Sequence, residues 1–247
     1  MRLPRKVAIV TGGARHIGAV YARKLAQEGA AVLIADILDG DGVVREIGAA
    51  SGEAISLKVD VSKEEDTARM AEEAVKAFGR IDILVNNAAI FINIQRKPFY
   101  EISEAEWDQV SAVNIKGPFL CAKAVFPQMK KQQSGKIINI SSSTAFAGTP
   151  LFLHYVASKA ALIGITRSLA REVGVYGICV NAIAPGLVQH EGQNAPKEFT
   201  DFQLKARALK RLQTPDDLLG ALLYLASSDS DFVTGQTLLV DGGSVFH

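Results

Sequence analysis

The chain has 247 residues, 48% of them hydrophobic, and its 27 Lys plus Arg against 26 Asp plus Glu leave a formal net charge of +1. So even a balance excludes the strong positive field that nucleic acid or an anionic membrane surface calls for, and a globular chain near this size buries roughly three-quarters of its unfolded surface without a metal or disulfide. Two cysteines, Cys121 and Cys179, fit neither a disulfide framework nor a cysteine-rich zinc site, so a reducing compartment and no metal are expected.

The N-terminus runs from Met-Arg-Leu-Pro-Arg-Lys into a short apolar run before Thr11. Nowhere is there an apolar stretch of about eighteen residues, so neither signal peptide nor membrane span is expected and a cytoplasmic protein is. Apolar runs at Lys6–Thr11, Ala31–Asp36, Ala54–Val59, Ile81–Asn86, Lys136–Ser141, Ile178–Ala184 and Gln236–Val240 are rich in Val and Ile on consecutive positions. That pattern predicts strands buried on both faces, as in a parallel sheet covered by helices. Helical stretches separate them. Ser62-x-x-Glu65 and Ser103-x-x-Glu106 have the spacing of capping boxes, and Thr214-Pro215-Asp216-Asp217 places Pro in a first turn behind a Thr cap. Ala71, Ala74, Val75 and Phe78 share one face of the helix after Ser62. The alternation predicts a single-domain doubly wound α/β Rossmann fold over residues 1–247, with a sheet of about seven strands. One polar stretch, 186–213, with Pro196, Phe199 and Phe202, breaks the rhythm and reads as a substrate lid.

The first strand ends in Thr11-Gly12-Gly13-Ala14-Arg15-His16-Ile17-Gly18, with a helical pattern from Ala19. Glycines in a strand-to-helix turn let the backbone approach a pyrophosphate held at the positive end of the helix. Asp36 ends the second strand 24 residues after Gly12, near the roughly 20-residue spacing at which a carboxylate accepts hydrogen bonds from an adenosine ribose. A 2′-phosphate at 4 Å from it would be repelled by about 4 kcal/mol at an effective dielectric near 20. Arg15 is the contrary signal, and on balance NAD is expected rather than NADP. Further along, Tyr155 and Lys159 lie four apart at the start of an apolar-periodic helix, on one face. An ammonium beside a phenol can supply the roughly 4 kcal/mol needed to bring an ordinary tyrosine pKa of about 10 toward neutrality. Ser142 follows the end of a strand 13 residues before Tyr155, where open α/β sheets bind ligands.

These residues resemble the short-chain dehydrogenase/reductase family from about Lys6 to Gly243. The resemblance rests on the Thr11–Gly18 turn, Asp60-Val61, Asn86-Asn87-Ala88-Ala89, Asn114 in Val113-Asn114-Ile115, Ile140-Ser141-Ser142, Tyr155-x-x-x-Lys159, Pro185-Gly186 and Gly235–Gly243. It implies that Tyr155 is the general acid/base, that Ser142 hydrogen-bonds the substrate oxygen, and that Lys159 lowers the tyrosine pKa and binds the nicotinamide ribose. Asn114 would hold a water in a proton relay. Gly12, Arg15, His16, Ile17 and Gly18 would form the phosphate turn. Asp60 and Val61 would contact adenine, Asn87 and Ala88 the adenosine-side ribose, and Pro185, Gly186 and Val188 the nicotinamide end. The chain departs from the family pattern at His16 and Ala89, each replacing a usual glycine; His16 is expected to tolerate positive φ and to pack outward.

The expected walls of the substrate pocket, Ile90–Tyr100, Thr144–His154 with Phe146, Leu151 and Phe152, and the 186–213 stretch with His190, Glu191 and Lys197, are mostly apolar, with no arginine cluster. His154 is expected either to shape the pocket or, more simply, to be a hydrogen-bonded surface residue. Phe146–Pro150 and the terminal Val245-Phe246-His247 resemble the family's 1-phenylethanol-type and pyridoxal dehydrogenases. The expected activity is NAD-dependent hydride transfer to or from a hydrophobic or aromatic secondary alcohol or ketone. The alternatives are a 3-oxoacyl-thioester reductase, usually NADP-dependent in this family, and a non-catalytic dinucleotide sensor. Gly220, Ala221 and Ala226 suggest a flat helix face, and the family implies a homotetramer.

Overall fold

A computed structural model of the chain describes residues 1–91, 94–189 and 204–246. Seven strands, β1 (Val7–Thr11), β2 (Ala31–Asp36), β3 (Ala54–Lys58), β4 (Ile83–Asn86), β5 (Gly135–Ile140), β6 (Ile178–Pro185) and β7 (Thr237–Val240), form one parallel sheet in the order β3-β2-β1-β4-β5-β6-β7. Each of the seven apolar runs becomes one strand. The internal strands alternate their side chains between two apolar layers. Ala8, Val10, Val32, Ile34, Ile83, Val85 and Ile138 enter one layer, while Ile9, Leu33, Leu84, Ile137 and Val180 enter the other, the period-2 signature of a pleated sheet. Burial on both faces holds for the central strands, but β3 and β7 stay partly exposed because each is an edge with a single neighbour.

Helices α1 (His16–Gln27) and α2 (Asp41–Ala49) lie with α8 (Leu219–Ala226) against the first layer. Helices α3 (Glu64–Phe78), α5 (Gly117–Gln132) and α7 (Leu153–Val173) cover the second. α4 (Glu104–Ser111) runs through a π-helical turn at Ala112–Lys116 into α5, and a short α6 (Thr144–Ala147) precedes α7. Ser103 caps α4 in a reciprocal box with Glu106, and Thr214 does so with Asp217 ahead of α8, both as expected. The box expected at Ser62 does not form: α3 begins after Lys63, and the Ser62 hydroxyl instead donates to Asp60 at 2.7 Å. The Asp60 carboxylate already holds the Ser62 amide, so the local turn outcompetes the cap. Helix α1 starts at His16, three residues before the expected Ala19. Ala226 is buried in the core rather than part of a free face.

Of the 186–213 stretch, residues 190–203, including His190, Glu191, Pro196, Lys197, Phe199 and Phe202, lie outside the described residues. Its two ends meet at Val188 and Gln213, with the Gln189 amide on the Gln213 carbonyl at 2.8 Å. Among the described residues no helix is long and apolar enough to cross a membrane.

Candidate active site

β1 and β4 are neighbours although far apart in sequence, and on either side of this pair the chain winds in opposite directions. Open α/β sheets bind ligands at the carboxyl ends of strands at such a switch point. Here a cavity of about 930 Å³ opens there, within the size range of small-molecule and cofactor sites.

The glycine turn forms its floor. Gly12 has φ +64°, and a Cβ on it would lie 2.8 Å from the Ala88 Cα, so only glycine allows this turn and this approach. A Cβ at Gly18 would collide with the Gly12 carbonyl; Gly18 therefore supports the turn from below and does not reach the cavity surface. Asn87 braces the turn, donating from Nδ2 to the Thr11 and Gly12 carbonyls, each at 3.0 Å. The Thr11 hydroxyl accepts from the Asn87 and Ala88 amides. Asp36, buried at the end of β2, accepts from the Ala14 amide and the Leu38 amide, each at 3.0 Å, which locks the strand end to the glycine turn. His16 takes φ +51°, as expected of a residue standing for glycine. It lines the cavity instead of packing outward, because that φ at the first residue of α1 turns its side chain toward the site. Burial and the neighbouring Arg15 hold its imidazole below the usual histidine range. Arg15, Ile17, Asp60, Val61 and Ala88 also line the cavity, as do Pro185, Gly186 and Val188 at its other end. A close-approach glycine turn, the N-terminus of α1 and a carboxylate on the neighbouring strand together fit a dinucleotide.

Ser142, Tyr155 and Lys159 come together where β5 and the start of α7 meet, all three on the cavity wall and all buried. The Ser142 hydroxyl accepts from the Thr144 amide at 3.2 Å and the Thr144 hydroxyl at 3.0 Å. With its lone pairs so engaged, it has its own proton to donate, and its hydroxyl acts to lower the nearby Tyr155 phenol. Burial raises the phenol above its ordinary value, with Ser142 opposing, and pulls Lys159 down to about 8. The expected lowering of the phenol by the lysine is therefore not seen in the protein alone. The Lys159 Nζ lies 5.7 Å from the phenol ring centre and donates to the Ile140 carbonyl at 2.7 Å, and desolvation outweighs the attraction. Asn114 sits behind the wall. Its amide accepts from the Ile90 amide at 2.8 Å and donates to the Ile90 carbonyl and the Ser158 hydroxyl, each at 3.1 Å. Both protons of its side-chain amide are thus taken by protein partners, while one lone pair of its oxygen stays open. Ser158 in turn bonds the Tyr155 carbonyl, so Asn114 ties the strand-4 loop to the first turn of α7.

The substrate side is aromatic. The Phe152 ring stacks on Tyr155 at 4.6 Å, Phe91 packs on Tyr155 at 5.2 Å, and the Arg96 guanidinium lies 5.1 Å over Phe152. Of the expected walls, Ile90, Thr144 and Phe152 line the cavity, whereas Phe99, Tyr100 and Leu151 are exposed and Phe146 is not on the lining. His154 is neither a surface residue nor a pocket residue. It is buried, edge-on to Phe152, and held below the usual histidine range chiefly by that burial. Sequence reasoning missed Ser158 and gave no individual role to Thr11, Thr144 or Arg96. It also missed a buried polar line in which Asn86 donates to Asn139, and Asn139 to Thr166, each at 2.9 Å. Two asparagines inside otherwise apolar strands were the available signal for that line.

Fold and cavity define a dinucleotide-binding α/β protein. Comparison with known proteins narrows the class. The family profile described as Enoyl-(Acyl carrier protein) reductase matches residues 12–245. The 3-oxoacyl-[acyl-carrier-protein] reductase FabG of Staphylococcus epidermidis is 40% identical over 242 residues, covering 96% of this chain and 98% of its own. The (2S)-[(R)-hydroxy(phenyl)methyl]succinyl-CoA dehydrogenase subunit BbsD of Thauera aromatica is 39% identical, covering 98% of both chains. A solved structure from Sinorhizobium meliloti 1021, provisionally assigned as a short-chain alcohol dehydrogenase, superposes with a TM-score of 0.93 at 32% identity, covering 98% of this chain and 97% of that one. The chain belongs to the short-chain dehydrogenase/reductase family, oxidoreductases that bind a nicotinamide dinucleotide.

Proposed function

We propose that the protein transfers hydride reversibly between NAD and a hydrophobic or aromatic secondary alcohol or ketone. The observation that carries this reading is the Ser142–Tyr155–Lys159 cluster on the wall of the cavity that also receives the glycine turn. Gly12, Arg15, His16, Ile17, Asp36, Asp60, Val61, Asn87 and Ala88 would hold the adenosine and phosphates, with Gly18 supporting the turn. Lys159, Pro185, Gly186 and Val188 would hold the nicotinamide end, partly walled by the described ends of the 186–213 stretch. The bound dinucleotide supplies the hydride acceptor or donor.

In reduction the Tyr155 phenol gives its proton to the carbonyl oxygen, and in oxidation it takes the alcohol proton. Ser142 donates to the same oxygen as charge grows there. Lys159, anchored on the Ile140 carbonyl, keeps a positive charge beside the phenol. Asn114 acts as a positioning residue, through Ile90 and Ser158. Asp36 supports NAD over NADP, since its carboxylate meets a 2′-phosphate with repulsion of about 4 kcal/mol. The phenyl-bearing alcohol in the name of the Thauera relative and the Phe91–Phe152 wall support an aromatic substrate. We further propose a cytoplasmic homotetramer.

Reduction of 3-oxoacyl thioesters is the second reading, supported by the Staphylococcus relative. Turnover of an aryl ketone panel and of acetoacetyl-CoA, each with NADH and NADPH, separates the two. Aryl ketones with NADH are the expected pair, with NADH favoured at least a hundredfold in kcat/KM. Tyr155→Phe should lower turnover by about a thousandfold, within the usual range for an acid/base group, while NADH still binds. Intact turnover in that variant would remove Tyr155 from the reaction, and no turnover by the unaltered protein with NADH still bound would leave only a dinucleotide-holding scaffold.

A further inference from the structure

The aromatic wall carries a charge whose role the proposed reaction leaves open. Among the charged and histidine side chains of the described residues lining the cavity, Arg15 and His16 belong to the glycine turn, Asp36 ends β2, Asp60 follows β3, and Lys159 lies beside the phenol; Arg96 alone sits on the aromatic wall. Its guanidinium is 5.1 Å over the Phe152 ring, and that ring stacks on Tyr155 at 4.6 Å. Arg96 therefore stands within the sum of those two spacings from the acid/base ring. A cation over a ring is held through its charge, and the guanidinium N–H donors form the fork that matches a carboxylate.

We infer that Arg96 is a specificity-determining residue and that the substrate is an aromatic or apolar oxo or hydroxy acid, its carbonyl at Tyr155 and its carboxylate at Arg96. This rests on the hydride-transfer reading above. The anion could instead be the phosphate of a pantetheine thioester. The short reach from phenol to guanidinium favours a carboxylate a few bonds from the reacting carbon, because the pantetheine phosphate lies many bonds farther away.

The test uses three ω-oxo-ω-phenyl acids, the butanoate, pentanoate and hexanoate, each beside its methyl ester, with acetoacetyl-CoA as the thioester arm. In the unaltered protein the acid of best-fitting length should exceed its ester at least tenfold in kcat/KM. Arg96→Gln should remove that advantage through KM, leaving kcat, the esters and acetoacetyl-CoA within threefold. The acid's KM should rise with salt in the unaltered protein and not in the variant, since Arg96 is exposed to solvent. Acid and ester turned over alike, or weakened alike by Arg96→Gln, would overturn the inference while the hydride-transfer reading stands. Loss confined to acetoacetyl-CoA would move the anion to the pantetheine phosphate and overturn the carboxylate. Calorimetric binding of the acids covers a protein that turns over nothing. Binding lost in Arg96→Gln would keep the carboxylate site and sink the hydride transfer, and no binding at all would overturn both.

Discussion

Burial acts on Tyr155 and Lys159 in opposite directions, raising the phenol and lowering the ammonium to about 8, because in each it disfavours the charged form. A phenol that keeps its proton through neutrality is ready to act as an acid. Carbonyl reduction should therefore be flat from pH 6 to 7, below the Lys159 value of about 8, while alcohol oxidation climbs with pH, as paired kcat profiles would show; a reduction rate that falls across that range would contradict it. Lys159 also carries a stability cost. From an ordinary 10.5 to about 8, the shift is worth about 3 kcal/mol, felt in full below pH 8 and relieved between pH 8 and the ordinary lysine value, where only the unfolded chain holds the proton. Lys159→Met removes the buried charge and forfeits the bond to the Ile140 carbonyl, worth about 1 kcal/mol. The variant should be inactive yet melt about 4–8 °C higher at pH 7, with the gap closing by pH 10. A lower melting temperature at pH 7 would mean that the ammonium is better solvated than its burial implies.

The glycine turn holds its shape through a neighbouring loop, and this decides what could be read in advance. Asn87 bonds two carbonyls of the turn, so Asn87→Ala leaves both without a donor. It should cost about 2 kcal/mol of stability and weaken NADH at least tenfold in a fluorescence titration. Lost stability with unchanged NADH affinity would make the brace structural only. The motif residues were legible because the chemistry dictates residue type at fixed spacing: a glycine where backbone meets backbone, a phenol and an amine one helical turn apart. The central strands were legible because burial on both faces demands unbroken apolar runs. What tertiary contact decides was not. The π-helical turn at Ala112–Lys116 coincides with Asn114 reaching Ile90 and Ser158, partners 24 and 44 residues away that no local pattern foretells. Ser62 had the spacing of a cap but lay beside Asp60, a nearer partner. Arg96 lies in a segment without periodicity, so only the folded wall could show that it sits over Phe152.

At the scale of the whole molecule the sheet ends in two edges with unequal cover. At β7, Leu238 points outward with 40% of its surface exposed, and Phe232, just before the strand, is fully exposed. Nearby on α8, Gly220 has open space where a Cβ would stand, beside exposed Tyr224. A partly apolar edge strand of this kind pairs or aggregates unless something covers it, and the open space at Gly220 lets a second backbone come close. The homotetramer proposed above would cover this edge with a second copy, and a closed assembly buries the same patch on both partners. Light scattering should give a mass near four chains. Leu238→Lys puts a charge at that junction and should split the tetramer into dimers, with no change in the far-ultraviolet circular dichroism. Val245, five residues after β7, lines the active cavity, so the split should also raise KM severalfold by loosening the tail. A mass of one chain in the unaltered protein would rule out the assembly, while tetramers that survive Leu238→Lys would move the contact to another face.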